Sequence, residues 1–403
     1  MDIGQGLGHL TYSTLVHPGD TWDQMFESLK TYLPKVKARV SPREAFGVSL
    51  RLSAKSAHHL VNTPKDLDRL ERFLSDGGMY LYTVNAFPYG DFKSGVVKEQ
   101  VYEPDWRTEE RTVYTCNVAT ILARLTPAGV SPSIQSAPLG FKPNIRGPND
   151  VEQFTLHVLR VVAHLVSLES QTGRCVQLAL EPEPSCFLET TPETIAYFRD
   201  HLHTARAAET LSRLAQIPRS EAIGALRRHV GIVYDICHQA VQFEDISASL
   251  QSLCDAQVPV FKLQEAAAVQ IPVVDQGAVD ALQRFAKSIY LTQTVERVDG
   301  RLNAYLNLED AFAAWSRRPS NEQPGAREWR VHFHVPVFLE DLGPFRTTRF
   351  AIEDALAFHK RQPISRQLEI ETYTWDVLPE HLKTGDIVDY VCREIEWVKG
   401  QLS

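Results

Sequence analysis

Carboxylates stand at or near the ends of three short segments whose composition predicts β-strands. They are Glu181, Asp235 and Glu371, and His238 follows Asp235 in a D-x-x-H motif. Carboxylates crowded together in a partly dry site repel each other unless a proton or a cation lies between them. If these segments converge, the simplest arrangement is a divalent metal site that His238 reaches from the following loop.

Amide and imidazole groups are candidates to complete such a site. Gln264 ends the predicted strand Val258–Gln264, and His332 and His334 share one face of the segment Val331–Val335. Either Gln264 or His334 completes the set of metal ligands in this interpretation, and His334 is preferred. His332 is instead a candidate substrate-binding group, with a hydrogen-bonded core histidine as the alternative.

The alternation of side chains within the predicted strands indicates how the sheet is used, because successive residues point to opposite faces. In Val176–Glu181 the residues Val176, Leu178 and Leu180 share an apolar face, and Glu181 lies on the other. Most segments repeat this division. The other face, which carries Glu181 and is mostly small or polar, has three apolar exceptions: Leu81, Val233 and Val260. Strands of a doubly wound parallel sheet are apolar on both faces, so the pattern favours a barrel with polar groups at its mouth.

Nine segments predict strands, with helical segments between most of them. They are Leu10–Thr14, Gly47–Leu52, Tyr80–Asn85, Ser133–Ala137, Val176–Glu181, Gly231–Asp235, Val258–Gln264, Val331–Val335 and Leu368–Tyr373. Alternating strands and helices are typical of a parallel sheet. The fold class predicted is α/β, as a single (β/α)₈ TIM barrel over residues 1–403.

One interval late in the chain departs from this alternation. The segments Ile289–Val295 and Leu302–Leu306 flank the turn Val298-Asp299-Gly300, which predicts a β-hairpin. A polar stretch, Arg317–Arg327, follows it. Residues 288–330 are therefore predicted to be an insertion within the barrel domain.

Composition narrows the classes of partner. The 403 residues include 42 basic and 50 acidic side chains, a net charge of -8, which disfavours nucleic acid as a main partner. The six cysteines form no C-x-x-C pair and are expected to be free thiols. Without a signal-like N-terminus or a long apolar run, we expect a cytoplasmic protein with no membrane insertion.

Two further segments extend the D-x-x-H motif into a wider pattern. They are Leu178-Ala179-Leu180-Glu181-Pro182-Glu183-Pro184 before it and Glu369-Ile370-Glu371-Thr372 near the C-terminus. Together the three resemble the xylose-isomerase-like barrel superfamily, which includes sugar-phosphate isomerases and epimerases and the AP endonucleases. The resemblance implies metal-site roles for a glutamate on strand five, a D-x-x-H on strand six and a glutamate on strand eight, here Glu181, Asp235, His238 and Glu371.

A narrower resemblance covers most of the chain. It rests on Val48-Ser49-Leu50-Arg51-Leu52-Ser53, Asn85-Ala86-Phe87-Pro88-Tyr89-Gly90, Val97-Lys98-Glu99-Gln100-Val101-Tyr102, His332-Phe333-His334-Val335-Pro336-Val337 and Glu371-Thr372-Tyr373-Thr374-Trp375. These segments look like EboE-type metabolite-traffic proteins, which are encoded in clusters that handle secondary metabolites. The resemblance implies a small-molecule metabolite as partner, together with other proteins of the pathway.

A metal held by these ligands predicts isomerase or epimerase chemistry on a sugar-like or cyclitol-like molecule. The mixed oxygen and nitrogen ligands suit Mn²⁺, Mg²⁺, Co²⁺ or Zn²⁺. Glu181 and Glu371 would exchange a carbon-bound proton, with His238 as a further catalytic group. The predicted substrate-binding residues are Arg51, Asn85, Lys262 and His332. The two cationic side chains, Arg51 and Lys262, can equally form ion pairs with nearby carboxylates.

Two other functions are compatible with the same fold. The barrel can bind or carry a metabolite without turnover, since one fold hosts many functions. Phosphodiester hydrolysis of the endonuclease IV kind needs additional histidines at the ends of strands two and three. Those strands end near Arg51 and Asn85 instead, and the acidic net charge also argues against it.

Overall fold

The computed structural model describes residues 1–92, 97–286, 288–318, 327–374, 383 and 385–403. Residues 319–326 of the predicted insertion and Trp375 lie outside this part of the chain. Within the described residues, no helix combines the length and apolar character needed to cross a membrane. All six cysteines are free.

Eight parallel strands form the central sheet. They are β1 (His9–Tyr12), β2 (Phe46–Arg51), β3 (Met79–Asn85), β4 (Ser133–Ser136), β5 (Gln177–Leu180), β6 (Val230–Asp235), β7 (Val260–Glu265) and β13 (Gln367–Ile370). From β2 to β7 each strand pairs with the next in chain order, and β13 pairs with both β7 and β1.

The sheet closes between its first two strands through a few specific contacts. Ser13 and Ser49 form a parallel bridge, and the Thr11 hydroxyl donates to the carbonyl of Gly47 at 2.8 Å. The sheet is therefore a nearly closed barrel with helices between its strands, which confirms the predicted (β/α)₈ fold.

Fourteen α-helices lie among the described residues. They are α1 (Trp22–Val40), α2 (Ala54–Asn62), α3 (Pro64–Asp76), α4 (Glu109–Leu125), α5 (Pro148–Thr172), α6 (Thr191–Tyr197), α7 (Ala205–Ala215), α8 (Arg219–His229), α9 (Ile236–Val241), α10 (Ile246–Asp255), α11 (Gln276–Ala286), α12 (Leu308–Ser316), α13 (Arg349–Arg361) and α14 (Ile387–Leu402). Thr21 caps α1 and Thr190 caps α6, each in a capping box with the residue three positions on. Thr63 precedes the proline that opens α3 but its side chain makes no capping hydrogen bond.

Two strand irregularities correct the predicted assignment of side chains to faces. The register shifts between β2 and β3 at Leu81 and Tyr82, and again between β6 and β7 at Val260 and Phe261. Leu81 and Val260 pack in the large core that the strands share with the helices. They were predicted on the inner face, and this prediction is wrong because each extra residue reverses the alternation within its strand.

Phe261 accordingly packs inside the barrel with Ala179 and Val233. A Cβ atom on Gly231 would lie 2.7 Å from the Phe261 ring and 2.5 Å from the carbonyl oxygen of Pro259. Glycine at this position therefore makes room for the aromatic ring. The predicted inward positions of Lys262 and Gln264, beyond the irregularity, are unchanged.

A second, antiparallel sheet is inserted between the seventh and eighth barrel strands. Its strands are β8 (Ala267–Ile271), β9 (Thr294–Val298), β10 (Arg301–Tyr305), β11 (Arg327–Val335) and β12 (Arg346–Thr347), in the spatial order β10-β9-β11-β8-β12. The predicted hairpin is confirmed as β9 and β10, joined at Asp299 and Gly300, both with positive φ. The predicted strand Val331–Val335 belongs to β11, which explains the ninth strand.

Glu394 on α14 joins the end of the barrel to the second sheet. Its Oε1 atom accepts hydrogen bonds from the Thr372 hydroxyl at 2.7 Å and from the Val337 amide at 3.2 Å. Burial raises the pKa of Glu394 from its usual 4.5 to about 8, although these hydrogen bonds act in the opposite direction. The folded protein therefore holds this carboxyl protonated at neutral pH.

We expect Glu394→Gln to raise the free energy of unfolding at pH 8 by roughly 1 to 3 kcal/mol and to change it little at pH 5. The unfolded carboxyl ionises above its ordinary pKa while the folded one stays protonated, so this residue makes wild-type stability fall as pH rises toward 8. Urea unfolding at both pH values measures the effect. Glu396→Gln, at an exposed position of the same helix, is the control, and an equal loss of stability for Glu394→Gln at both pH values would contradict the prediction.

Candidate metal centre

The barrel strands bring the predicted acidic residues together at the mouth. Glu181 and Glu371 follow β5 and β13 directly, and Asp235 is the last residue of β6. Asp235 also caps α9, because its Oδ1 accepts from the amides of Cys237 at 2.7 Å and His238 at 3.2 Å. The cap fixes the rotation of this carboxylate, so that its Oδ2 atom remains directed at the site.

Three carboxylates converge on one amide at this position. Glu181, Asp235 and Glu371 each offer an oxygen within 4.8 Å of the others, and none is more than 4% exposed. The Nε2 atom of Gln264 donates to Glu181 at 3.2 Å, to Asp235 at 2.9 Å and to Glu371 at 2.8 Å. The predicted residues of strands five, six, seven and eight therefore form a single cluster.

Further amides orient two of these carboxylates. Gln135 donates to Glu181 at 2.7 Å, and Asn85 donates to Glu371 at 2.8 Å. Asn85 was predicted to bind substrate, and the structure places it against Glu371 and on the wall of the cavity above it. Gln135 was not among the predicted residues, because β4 ends without a charged group.

Burial raises the pKa of Glu181, Asp235 and Glu371 above the ordinary values of carboxyl groups. For Glu181 the neighbouring charges of Glu371 and Asp235 act in the same direction, and for Glu371 those of Glu369 and Asp235 do so. Three carboxyls in this environment retain protons unless a cation replaces them. The donor set consequently fits a divalent metal ion.

The amide of Gln264 fits the same interpretation. Its Oε1 atom is buried and has no hydrogen-bond partner, while its Nε2 serves all three carboxylates. Amide oxygen and nitrogen are alike in size, so rotation about the terminal bond would present Oε1 to a cation held by the carboxylates. Gln264 can therefore donate hydrogen bonds in the metal-free site and act as an oxygen ligand in the metal-bound one.

Three histidines lie beside the carboxylates with the same orientation. In each ring the Nδ1 atom contacts an oxygen. His238 contacts the carbonyl of Pro182 at 2.8 Å, and His332 contacts the side-chain oxygen of Gln293 at 3.0 Å. His334 contacts the carbonyl of Glu371 at 2.7 Å. Each contact places the proton on Nδ1 and leaves Nε2 as the basic atom. Their rings lie 4.6 to 6.1 Å apart, centroid to centroid.

These imidazoles are neutral and available as ligands. Burial lowers the pKa of His238 and His334 to about 4, and that of His332 well below its usual value. The Nε2 atoms of His332 and His334 are buried without a hydrogen-bond partner. His238 and His334 approach Asp235 Oδ2 at 3.3 and 3.8 Å, so these three residues form a second group able to hold a cation.

A polar network that the sequence did not predict supports His332. Glu183 accepts from the Tyr102 hydroxyl at 2.8 Å, and Gln293 donates to that hydroxyl at 3.0 Å while its own oxygen contacts His332. Burial raises the pKa of Glu183 to about 8. Glu183 had one usable signal, its position two residues after Glu181. Gln293 had none of this kind: it precedes β9 and lies within Ile289–Val295, which the sequence predicted as one segment of the hairpin.

The two cationic side chains that were predicted to bind substrate contact other protein groups instead. Lys262 donates to Glu369 at 3.0 Å and to Gln135 at 2.7 Å, and its side chain is fully buried. Arg51 donates to the carbonyl of Gly90 and lies 3.7 Å from Asp20. Both residues form the ion pairs that were the alternative interpretation, and neither lines the cavity at the mouth.

A partly enclosed cavity lies over the carboxylates. Glu181, Glu371, His238 and His332 contribute to its polar floor, and apolar and aromatic side chains make up much of the remainder. This combination of a partly enclosed apolar cavity with a few convergent polar groups is typical of small-molecule sites.

Comparisons with known proteins agree with this fold. No protein-family model and no curated protein matches the chain. A xylose isomerase-like TIM barrel protein from Mycobacterium smegmatis, solved in complex with magnesium, is 10% identical, with 98% of this chain and 96% of that chain covered and a TM-score of 0.50. The fold is therefore that of the xylose isomerase-like TIM barrels.

Two other solved structures match at lower TM-scores. L-ribulose 3-epimerase is 8% identical over 98% of this chain and 94% of its own, with a TM-score of 0.49. The IOLI protein with a bound zinc atom is 13% identical over 98% of both chains, with a TM-score of 0.46. The narrower resemblance to EboE-type proteins stays a prediction.

We expect the purified full-length protein to carry a divalent metal, and Glu181→Ala and Glu371→Ala each to weaken its binding at least about tenfold. Either substitution removes one of three converging carboxylates. Elemental analysis and titration with Mn²⁺ and Zn²⁺ measure the loss. Glu152→Gln is the control, because this glutamate pairs with Arg206 on the surface and belongs to no converging group of metal-binding side chains among the described residues; unchanged metal content in the two alanine variants would contradict the assignment.

Proposed function

We propose that this chain is a metal-dependent isomerase or epimerase of a small sugar-like or cyclitol-like metabolite. The observation that carries the proposal is the convergence of Glu181, Asp235 and Glu371 on the single amide of Gln264. This arrangement holds three acidic groups in a buried place, beside imidazoles with free basic nitrogens. Its chemistry suits the transfer of protons at a hydroxylated carbon.

The metal would be held by Glu181, Asp235 and Glu371, with Gln264 Oε1 or His334 Nε2 as the remaining ligand. When bound, a divalent ion of the kind considered (Mn²⁺, Mg²⁺, Co²⁺ or Zn²⁺) polarises a carbonyl group and the hydroxyl on the neighbouring carbon. The ordered hydrogen bonds from Gln135 and Asn85 hold the carboxylates in place for this role.

Glu181 and Glu371 supply the two proton-transfer groups. One carboxylate removes the proton from the carbon next to the carbonyl, and the other, as a carboxylic acid, returns a proton to the carbon skeleton. His238, neutral with its Nε2 3.3 Å from Asp235, is placed to accept a hydroxyl proton and give it back.

A carrier that binds a metabolite without turnover is the second candidate. The enclosed cavity favours it, because the same walls would hold a ligand whether or not the floor performs chemistry. The EboE-type segments support a place in the handling of a secondary metabolite for either function, with cytoplasmic pathway proteins as partners. Phosphodiester hydrolysis is disfavoured, since the ends of β2 and β3 supply Arg51 and Asn85 rather than histidines.

We expect the metal-loaded protein to exchange deuterium from D₂O into the carbon next to the carbonyl of at least one compound in a panel of neutral ketoses and cyclitol ketones. Glu181→Gln and Glu371→Gln should each slow this exchange at least about a hundredfold, because each removes a proton-transfer group. Proton NMR of the panel follows the exchange.

Glu152→Gln is again the control and should exchange at the wild-type rate. Binding of a panel compound without any exchange would contradict turnover and favour the carrier. Exchange that survives in both glutamine variants would contradict the roles assigned to the two glutamates.

A further inference from the structure

The cavity over the metal centre has an apolar wall that the proposed proton transfers do not use. This wall consists of Leu15, Phe87, Phe92, Tyr290, Leu291 and Tyr373. Its aromatic part is a mutual cluster: the Phe92 ring lies 4.7 Å from Tyr290 and 5.2 Å from Tyr373, and the last two lie 5.1 Å apart. Hydroxyl groups gain little from contact with such a wall, whereas an apolar or aromatic substituent gains from being buried against it.

The wall is built from segments outside the barrel strands. Phe92 follows β3, Tyr290 precedes β9 and Tyr373 follows β13. Two backbone hydrogen bonds, from the amides of Val97 and Lys98 to the carbonyl of Ile289, join the first of these segments to the second. The wall is thus tied together independently of the polar floor, which comes largely from the strand ends.

The charges around the cavity argue against an anionic ligand. Lys98 is the one lysine or arginine among the described residues that line the cavity, and it donates to Asn307 at 3.0 Å. Arg51 and Lys262 are engaged with Asp20 and Glu369. A phosphate group placed over this floor would meet carboxylates and neutral imidazoles instead of a cationic fork.

We infer that the ligand of this site is an uncharged molecule with a polyhydroxylated head and an aromatic or apolar substituent. The head lies on the floor of Glu181, Glu371 and His332, and the substituent packs against the wall around Phe92. The inference rests on the proposed function only for the position of the head. It replaces the predicted binding of substrate by Arg51 and Lys262.

The test compares two series of three probes on the protein in Mg²⁺, and the probes of a series share one head. The probes are D-fructose, D-fructose 6-phosphate and 6-O-benzyl-D-fructose, and myo-inositol with its monophosphate and mono-O-benzyl ether forms a second series. In at least one series we expect the benzyl ether to bind about tenfold or more tightly than the free polyol, from the apolar area that it buries. The phosphate ester should bind no more tightly than the polyol.

A phosphate ester that binds most tightly in either series, or benzyl ethers that gain no affinity in both, would overturn the inference. Phe92→Ala should remove most of the preference for the benzyl ether over the free polyol. Val113→Ala, at an exposed apolar position away from the cavity, is the matched control. If Phe92→Ala does not fold, the comparison of probes on the wild-type protein decides the question alone.

The outcome is separable from that of the proposed function. A protein that prefers the benzyl ethers but binds no metal and exchanges no deuterium refutes the isomerase proposal and supports the ligand class. A protein that exchanges deuterium in a neutral ketose but prefers the phosphate esters refutes the ligand class and supports the isomerase.

Discussion

The repulsion between buried carboxylates is the constraint around which the mouth of this barrel is arranged. Glu181, Asp235 and Glu371 are removed from water and held within reach of one another. The amide of Gln264 can satisfy one oxygen of each but cannot neutralise their charge. The neighbouring contacts, from the helix cap at Asp235 to the Nδ1 hydrogen bonds of the histidines, orient atoms toward the point where a positive charge is needed.

Much of the barrel could be predicted because its strands obey a two-residue period over most of their length. The strand ends then follow from composition, and parallel pairing places those ends at one mouth. The alternation failed at Leu81 and Val260, where one additional residue enters a strand. Such a bulge has no signature in hydrophobicity alone, since Tyr82 and Phe261 are as suitable for a core as the residues that they displace.

Most of the predicted site residues come from barrel strands, although Gln135 on β4 was missed and His332 and His334 were predicted on a segment that belongs to the inserted sheet. Glu181, Asp235, Gln264 and Glu371 were found by parity and position. Gln293 was missed, because it acts through His332 on a neighbouring strand of the second sheet and its own segment has no clear period. The roles of Arg51 and Lys262 depended on which carboxylates lie nearest, which a single sequence does not specify.

The carboxylates and two of the three imidazoles at the mouth have separate structural origins, and the third imidazole, His238, follows β6 of the barrel. The carboxylates belong to the barrel, whereas His332 and His334 stand on β11 of the inserted sheet. Hard cations prefer the first kind of donor and borderline cations accept the second. Substitutions confined to the inserted sheet can therefore alter selectivity among metal ions while the hydrogen-bonded ring of strands stays intact.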